Sequence, residues 1–235
     1  MSLKNWDNKT WLSSQDYINS FNNFLIKQIK FNKNSKILDI GCGRGKIIGS
    51  LSSKLKLKKM PIGIDIEKHK NRDKRIILKN EDAIKFFKNN KKEFDLILLK
   101  QSIHFFKFKD IKKLISLCKK SLSAKGKIII FTLETNKNEI PAFSLMKKKL
   151  NKSMVRQKKI IKFLSNSSPG NVKKKFSFKV KISKKKYVKM IKNRYISTLL
   201  KLQQSEIIKG IKEIEKKYKE KIYFNDKLIC IILRK

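Results

Sequence analysis

Gly41, Gly43 and Gly45 stand at alternate positions directly after a short apolar run of Ile37, Leu38 and Ile40, with Asp39 near its end. Glycine lacks a Cβ, so such a turn can be tight and a ligand can lie against bare backbone. The next residues put Ile47, Ile48, Leu51 and Leu55 on one helical face. The start of that helix offers free N–H groups and a partial positive charge to a carboxylate or phosphate. The spacing is D-x-G-x-G-x-G. A dinucleotide fingerprint is G-x-G-x-x-G, and Lys46 occupies the place of its third glycine. Asp65 ends the next apolar stretch, PIGIDIE, 20 residues after Gly45. A carboxylate there can accept both hydroxyls of a ribose. Asp82 opens NEDAIKFF, as a ligand group or as a plain helix cap. In KQSIHFF, Gln101 and His104 are spaced by three, which puts both on one side of a helical turn. His104 can serve as a base, as a positioning group or as a packed histidine at a helix start. Arg194, beside Tyr195, has the forked geometry that binds carboxylates, unless it is an ordinary surface arginine.

Other chemistries are excluded. His69 and His104 are the only histidines, so no His-rich metal site can form. Cys42, Cys118 and Cys230 are odd in number and far apart, with no C-x-x-C; neither zinc nor a disulfide framework is implied. Reduced, buried thiols fit a cytoplasmic setting. The first residues do not form a signal-peptide pattern, and no apolar run reaches the length of a membrane span.

The elements that must position these residues alternate. Strands are expected at 36–40, 61–66, 75–79, 94–100 and 127–133, and helices at 45–56, 82–90 and 108–122. Alternation implies a parallel sheet with helices on both faces, whose ligands bind outside the carboxyl ends of the strands. Asp39, the glycines, Asp65, Asp82 and residues 100–104 all fall there. Ahead of the core, Ser13 and Asp16 have capping-box spacing. Tyr17, Phe21, Phe24, Leu25 and Ile29 then share a helical face. Trp6 and Trp11 either staple this helix to the sheet or form a lid. Pro141 is expected in the first turn of a basic helix reaching Leu164. Phe176, Phe178, Val180 and Ile182 alternate as a strand with one solvated face. Ser183 is expected to cap one helix running through Arg194, and Ser205 another. The last residues read as a hairpin-like strand.

In this order the motifs resemble class I S-adenosylmethionine (SAM) dependent methyltransferases, from Lys36 to Leu133. KQSIHFF is similar to the A-Q-x-x-H-W-F segment of trans-aconitate-type methyltransferases, which methylate a small carboxylate; Phe105 stands where tryptophan is usual. The resemblance implies an α/β, doubly wound, mostly parallel seven-stranded sheet with an antiparallel last strand and an N-terminal helical cap. Phe176–Ile182 and Leu228–Leu233 take the places of its sixth and seventh strands. It implies SAM as cofactor, with Asp39, Gly41, Cys42, Gly43 and Gly45 beside the methionine part. Asp65 and Ile66 would sit at the ribose, Asp82 and Ala83 at the adenine, and Lys100 at the end of the fourth strand. Gln101, His104, Arg194 and Tyr195 would face the acceptor. One domain over 1–235 is expected: a cap at 1–33, a cofactor core at 34–135, and acceptor-side helices with the last two strands at 136–235.

The net charge is +43, yet only six of the 61 basic residues are arginine. Bases are usually read by arginine and amide forks or by stacked aromatics. Lysines occur in every segment, so a solvated lysine surface is expected, with any nucleic-acid binding weak and non-specific. No N/D-P-P-Y/F motif of nucleic-acid amino methylases is present. The leading expectation is methyl transfer to a small, anionic molecule. The alternatives are an RNA or protein methyltransferase using the basic surface, or a non-catalytic SAM- or nucleic-acid-binding protein. Neither monomer nor dimer is implied.

Overall fold

The structure, a computed structural model, describes residues 10–167 and 170–235. Trp6 lies outside the described residues. The elements are α1 (Gln15–Ile26), β1 (Ile37–Ile40), α2 (Lys46–Leu55), β2 (Ile62–Ile64), β3 (Ile77–Lys79), α3 (Ala83–Asn89) and β4 (Phe94–Lys100). After them come α4 (Phe108–Lys120), β5 (Leu122–Leu133), α5 (Ser144–Ser165), β6 (Val172–Ser183), α6 (Lys184–Lys192), α7 (Gln204–Lys217) and β7 (Lys221–Arg234). They form a seven-stranded sheet of order β3-β2-β1-β4-β5-β7-β6, in which β7 runs antiparallel to both neighbours. This is the doubly wound sheet that the motifs imply.

The apolar strands read as central are buried on both faces. All of β1 is buried, and Leu96, Ile97, Leu98 and Leu99 of β4 are fully so. Their alternate side chains feed two cores. Ile37, Leu96 and Leu98 join α1, α2, α6 and α7 on one face; Leu38, Ile40, Ile97 and Leu99 join α3 and α4 on the other. Helix α5 serves both, with Met146 in the first core and Ile160, Ile161 and Leu164 in the second. Its middle therefore passes the edge of the sheet. Trp11 packs edge-on against Phe224 and donates from Nε1 to the buried Asp226 on β7 at 3.0 Å, so the N-terminal segment is stapled to the sheet.

Several helix ends differ from the sequence reading, because their caps come from tertiary neighbours or from shifted residues. Ser14, rather than Ser13, caps α1 by accepting from Tyr17 N–H. Helix α5 starts at Ser144, beyond Pro141, where Glu213 of α7 accepts from both the N–H and the hydroxyl of Ser144. Ser183 caps α6 as expected, but that helix stops at Lys192 and Arg194 takes a left-handed φ of 53°. Gln203 and Glu206, rather than Ser205, form the capping box of α7. The closing strand is one uninterrupted β7, not a hairpin.

Candidate active site

The glycine turn joins β1 to α2 and is braced from outside. Gly41 and Cys42 donate to Ile64 O at 2.8 and 3.2 Å, and Gly43 donates to Asp65 Oδ2 at 2.8 Å. Asp73 N–H bonds to Arg44 O at 2.8 Å. The side chain of Ile76 packs so tightly on Gly45 that an added Cβ would lie 2.0 Å from its Cδ1. Gly43 is the opposite case: nothing lies within 4 Å of where its Cβ would stand. The thiol of Cys42 is turned toward Gly63, and burial holds it in the protonated form. Cys42 thus offers a ligand its backbone only.

Two acids mark the ends of this turn. Asp39 is 3% exposed, and its Oδ1 has no hydrogen-bond partner. Burial pushes its carboxyl up to about 7, with Lys100 pulling down and Asp65 adding to the rise. Asp65 goes the other way. Burial alone would raise it, but hydrogen bonds from His69 and from the N–H groups of Glu67 and Gly43 hold it below the usual carboxylate range. Lys100, at the end of β4, lies with its Nζ 5.0 Å from the ring centre of Tyr17 and 5.4 Å from that of Phe21, near both Asp39 and Asp226. Ile66 is an exposed apolar side chain, 72% accessible, next to Asp65. Asp82 caps α3, its Oδ1 accepting from Ile84 and Lys85 N–H at 2.8 and 3.0 Å, while Ala83 is buried behind it.

Beyond β4, Gln101 sits at a φ of 55° and its N–H bonds to Phe131 O at 2.8 Å. A non-glycine residue in this conformation is strained and needs surrounding structure to hold it. Ser102 supplies some of that support: its hydroxyl donates to Ile40 O at 2.6 Å, and its Cβ packs on Gly41. A single turn, Ile103–Phe105, then carries His104. A cavity of about 110 Å³ opens here, lined by Gln101 and His104, by Leu133 at the end of β5, by Leu150, Ser153, Arg156 and Gln157 of α5, and by Ile196, Ser197 and Thr198. Among the described residues Arg156 is the charged one of this lining, and no carboxylate is part of it. Its guanidinium donates to His104 O at 2.9 Å and to Phe106 O at 2.5 Å, tying α5 to the loop. Burial, helped by the charge of Arg156, brings His104 down to about 4. The imidazole is therefore neutral at pH 7 and a weak base.

Gln101 and His104 thus share one cavity, but Arg194 and Tyr195 do not line it. Arg194 is 8% exposed, and its Nη1 donates to Leu199 O at 2.6 Å and Leu202 O at 2.7 Å. It closes the turn after α6 instead of facing an acceptor. Tyr195 is 2% exposed and joins Trp11 and Tyr187 in the core. Tyr187 donates to Pro141 O, so the 2.7 Å contact between the two hydroxyls has Tyr195 as donor. Arg156, absent from the sequence reading, takes the place expected for Arg194. Its signal was weak: an arginine in a helix otherwise supplied with lysine.

Among the described residues no cluster of His, Cys, Asp and Glu could hold a metal, and no helix is long and apolar enough to cross a membrane.

Residues 37–126 match the family model described as "Methyltransferase domain". No curated protein matches the sequence. Solved structures share the fold. The plantazolicin methyltransferase BpumL, crystallised with a desmethyl-plantazolicin analogue and S-adenosylhomocysteine (SAH), aligns over 98% of this chain and 89% of its own at 16% identity, TM-score 0.55. A putative methyltransferase from an antibiotic biosynthesis pathway of Anabaena variabilis covers 89% of this chain and 95% of its own at 14% identity, TM-score 0.59. The precorrin-6y C5,15-methyltransferase of Geobacter metallireducens covers 95% and 90% at 10% identity, TM-score 0.52. The sheet is that of the fold these methyltransferase structures share, and residues 37–126 match a methyltransferase-domain model; SAH, which is SAM without its methyl, is bound in the BpumL structure. The site suits that cofactor on its own terms. The orphaned oxygen of Asp39 can take an ammonium, Gly43 leaves backbone bare, and the ionised Asp65 can accept from a hydroxyl.

Proposed function

We propose that the protein methylates a small acceptor bearing an anionic group, held in the cavity between β4, α5 and the turn at 196–198. The observation that carries this is the charge of the lining: among the described residues, Arg156 without any opposing carboxylate. An ammonium acceptor would find no counter-ion there, whereas a carboxylate or phosphate would find a guanidinium with N–H groups to spare. When bound, SAM supplies a methyl on a sulfonium that already drives its own transfer. The protein's task is then to hold the acceptor in line and exclude water. Gln101 and His104 would orient the acceptor by hydrogen bonds. A neutral, weakly basic His104 suits a carboxylate acceptor, which has no proton to lose.

On the cofactor side, Asp39 would receive the ammonium and Asp65 the ribose. Ile66 and Ala83 would border the adenine, with Asp82 Oδ2 as the oxygen left for its amino group. Lys100 would meet the carboxylate of the methionine part. The test is a screen with methyl-labelled SAM against small carboxylates, phosphomonoesters, amines and mixed RNA. Label on carboxylates or phosphate-bearing acceptors, lost in Arg156→Ala, is the expected result. Label on amines or RNA alone would overturn the reading.

A further inference from the structure

Leu150, Ser153 and Gln157 of α5 border the cavity beside His104, at spacings of three and four that share one helical face. Gln157 is the buried polar residue of that lining, 6% exposed. The two ends of its amide are used differently. Oε1 accepts from the hydroxyl of Thr132 on β5 at 2.7 Å, and Thr132 is itself buried. Nε2 has no hydrogen-bond partner among the described residues, yet it is not sealed off as the unpartnered Oε1 of Gln28 is. It keeps an open side, and the open space that Gln157 borders is this cavity. An amide carries two N–H donors on nitrogen and two lone pairs on oxygen. Thr132 holds the oxygen back, so the cavity meets the donor end. Buried polar groups are normally paired, and a donor left over beside a cavity points to a partner that enters it.

We infer that Gln157 is a second binding group for the acceptor, donating from Nε2 to an oxygen that carries no hydrogen, and that Thr132 is the positioning residue that decides which end of the amide is presented. Without the Thr132 hydroxyl the amide can turn over about its last bond and show its carbonyl instead, at little cost in shape. Arg156, the next residue on the helix, also has donors only. At these two residues the α5 wall therefore donates and does not accept. It matches an oxyanion, a carboxylate or phosphate with lone pairs on every terminal oxygen. It mismatches a carboxamide of the same shape, whose N–H2 would face N–H2. Arg156 selects for charge, and Gln157 adds selection for a bare oxygen. This rests on the acceptor reading above and deepens it.

The test follows fluorine NMR of three probes on the full chain with saturating SAH: trifluoroacetate, monofluorophosphate and the neutral trifluoroacetamide. The first two separate carboxylate from phosphate. Because surface lysines also hold anions, the binding counted is that removed by Ser153→Trp, which fills the cavity. In the wild type at least one oxyanion should bind there about tenfold more tightly than the carboxamide, as expected for a hydrogen bond to a charged partner. Gln157→Glu keeps an oxygen for Thr132 but turns the other end into an acceptor. Oxyanion binding should fall about tenfold or more while the carboxamide binds as well or better, so the preference inverts. Thr132→Val should narrow the wild-type preference by about threefold, and Thr132→Ser should keep it. A Gln157→Glu variant with the wild-type preference would overturn the inference. So would one that weakens oxyanion and carboxamide by a common factor, the mark of a merely structural role. If Gln157→Glu does not fold, the Thr132 pair decides, and an unchanged preference in Thr132→Val counts against the inference. A wild type that holds neither oxyanion in the cavity overturns the acceptor reading as well, whereas cavity binding that depends on Arg156 but not on Gln157 sinks this inference alone.

Discussion

Around the glycine turn, most of the braces come from one segment of chain, residues 64–76. Ile64, Asp65, Asp73 and Ile76 hold Gly41 to Gly45 through backbone hydrogen bonds, the Asp65 carboxylate and one tight apolar contact. Around the acceptor cavity, the walls come from residues 101–105, 133, 150–157 and 196–198, and what joins them is side chain to backbone: Arg156 on His104 O and Phe106 O. A site made by short-range backbone geometry has little freedom to vary. A site made where distant helices happen to meet can change its lining without disturbing the fold, as is usual for loops on a rigid scaffold. Ser102 joins the two regions, with its hydroxyl on Ile40 O and its Cβ on Gly41, between Gln101 and His104.

The sharpest way to break the contrast is Gly45→Ala. Its φ is 72°, and the new Cβ would meet Ile76 at 2.0 Å. Adding strain in backbone and packing, we expect a loss of about 2–4 kcal/mol in urea unfolding. A loss under ~1 kcal/mol would show that the brace is soft. Next, Asp65→Ala should weaken SAH binding by about 1.5–3 kcal/mol, the range for a hydrogen bond to a charged group. An unchanged affinity would assign the ribose elsewhere.

The two arginines form a matched pair on the acceptor side. Arg156→Ala should lower kcat/KM for the acceptor by about 10–100-fold, or ~1.4–2.7 kcal/mol, while SAH affinity stays within ~0.5 kcal/mol. Arg194→Ala should instead lower folding stability by about 1–3 kcal/mol, since the carbonyls of Leu199 and Leu202 lose their donor. The opposite pattern, stability loss for Arg156 and turnover loss for Arg194, would restore Arg194 to the site.

The smallest effects are in pH. With Asp39 at about 7, the ionised carboxylate that attracts an ammonium grows in as pH rises. SAM affinity should therefore increase by up to about tenfold between pH 6 and 8, and Asp39→Asn should flatten that rise. On the acceptor side, His104 at about 4 is already neutral throughout this range. With the cofactor saturating, turnover should show no limb near pH 6.5, and a limb there that vanishes in His104→Ala would make His104 a base after all.

The alternation of apolar runs, the glycines at 41, 43 and 45, and the acids at strand ends are local in sequence, and they were enough to imply the sheet and the place of the cofactor. Burial on both faces makes a central strand apolar regardless of what packs on it, and a glycine turn is set by its own backbone. The cavity has no such local signature. Arg194 lies in a lysine-rich stretch whose pattern suggests one continuous helix. The chain leaves the helix at Lys192, and the guanidinium is consumed by carbonyls five and eight residues on. Arg156 looked like one more cation on a long basic helix; only the passage of α5 across the sheet edge sets it against His104. Asp226 and Glu213 were likewise silent in sequence, because their partners, Trp11 and Ser144, are 215 and 69 residues away. The chain's local chemistry thus determined the sheet and the glycine turn at its carboxyl edge, while the lining of the cavity beside His104 was decided by long-range packing, which brings together side chains with no periodic relation to one another.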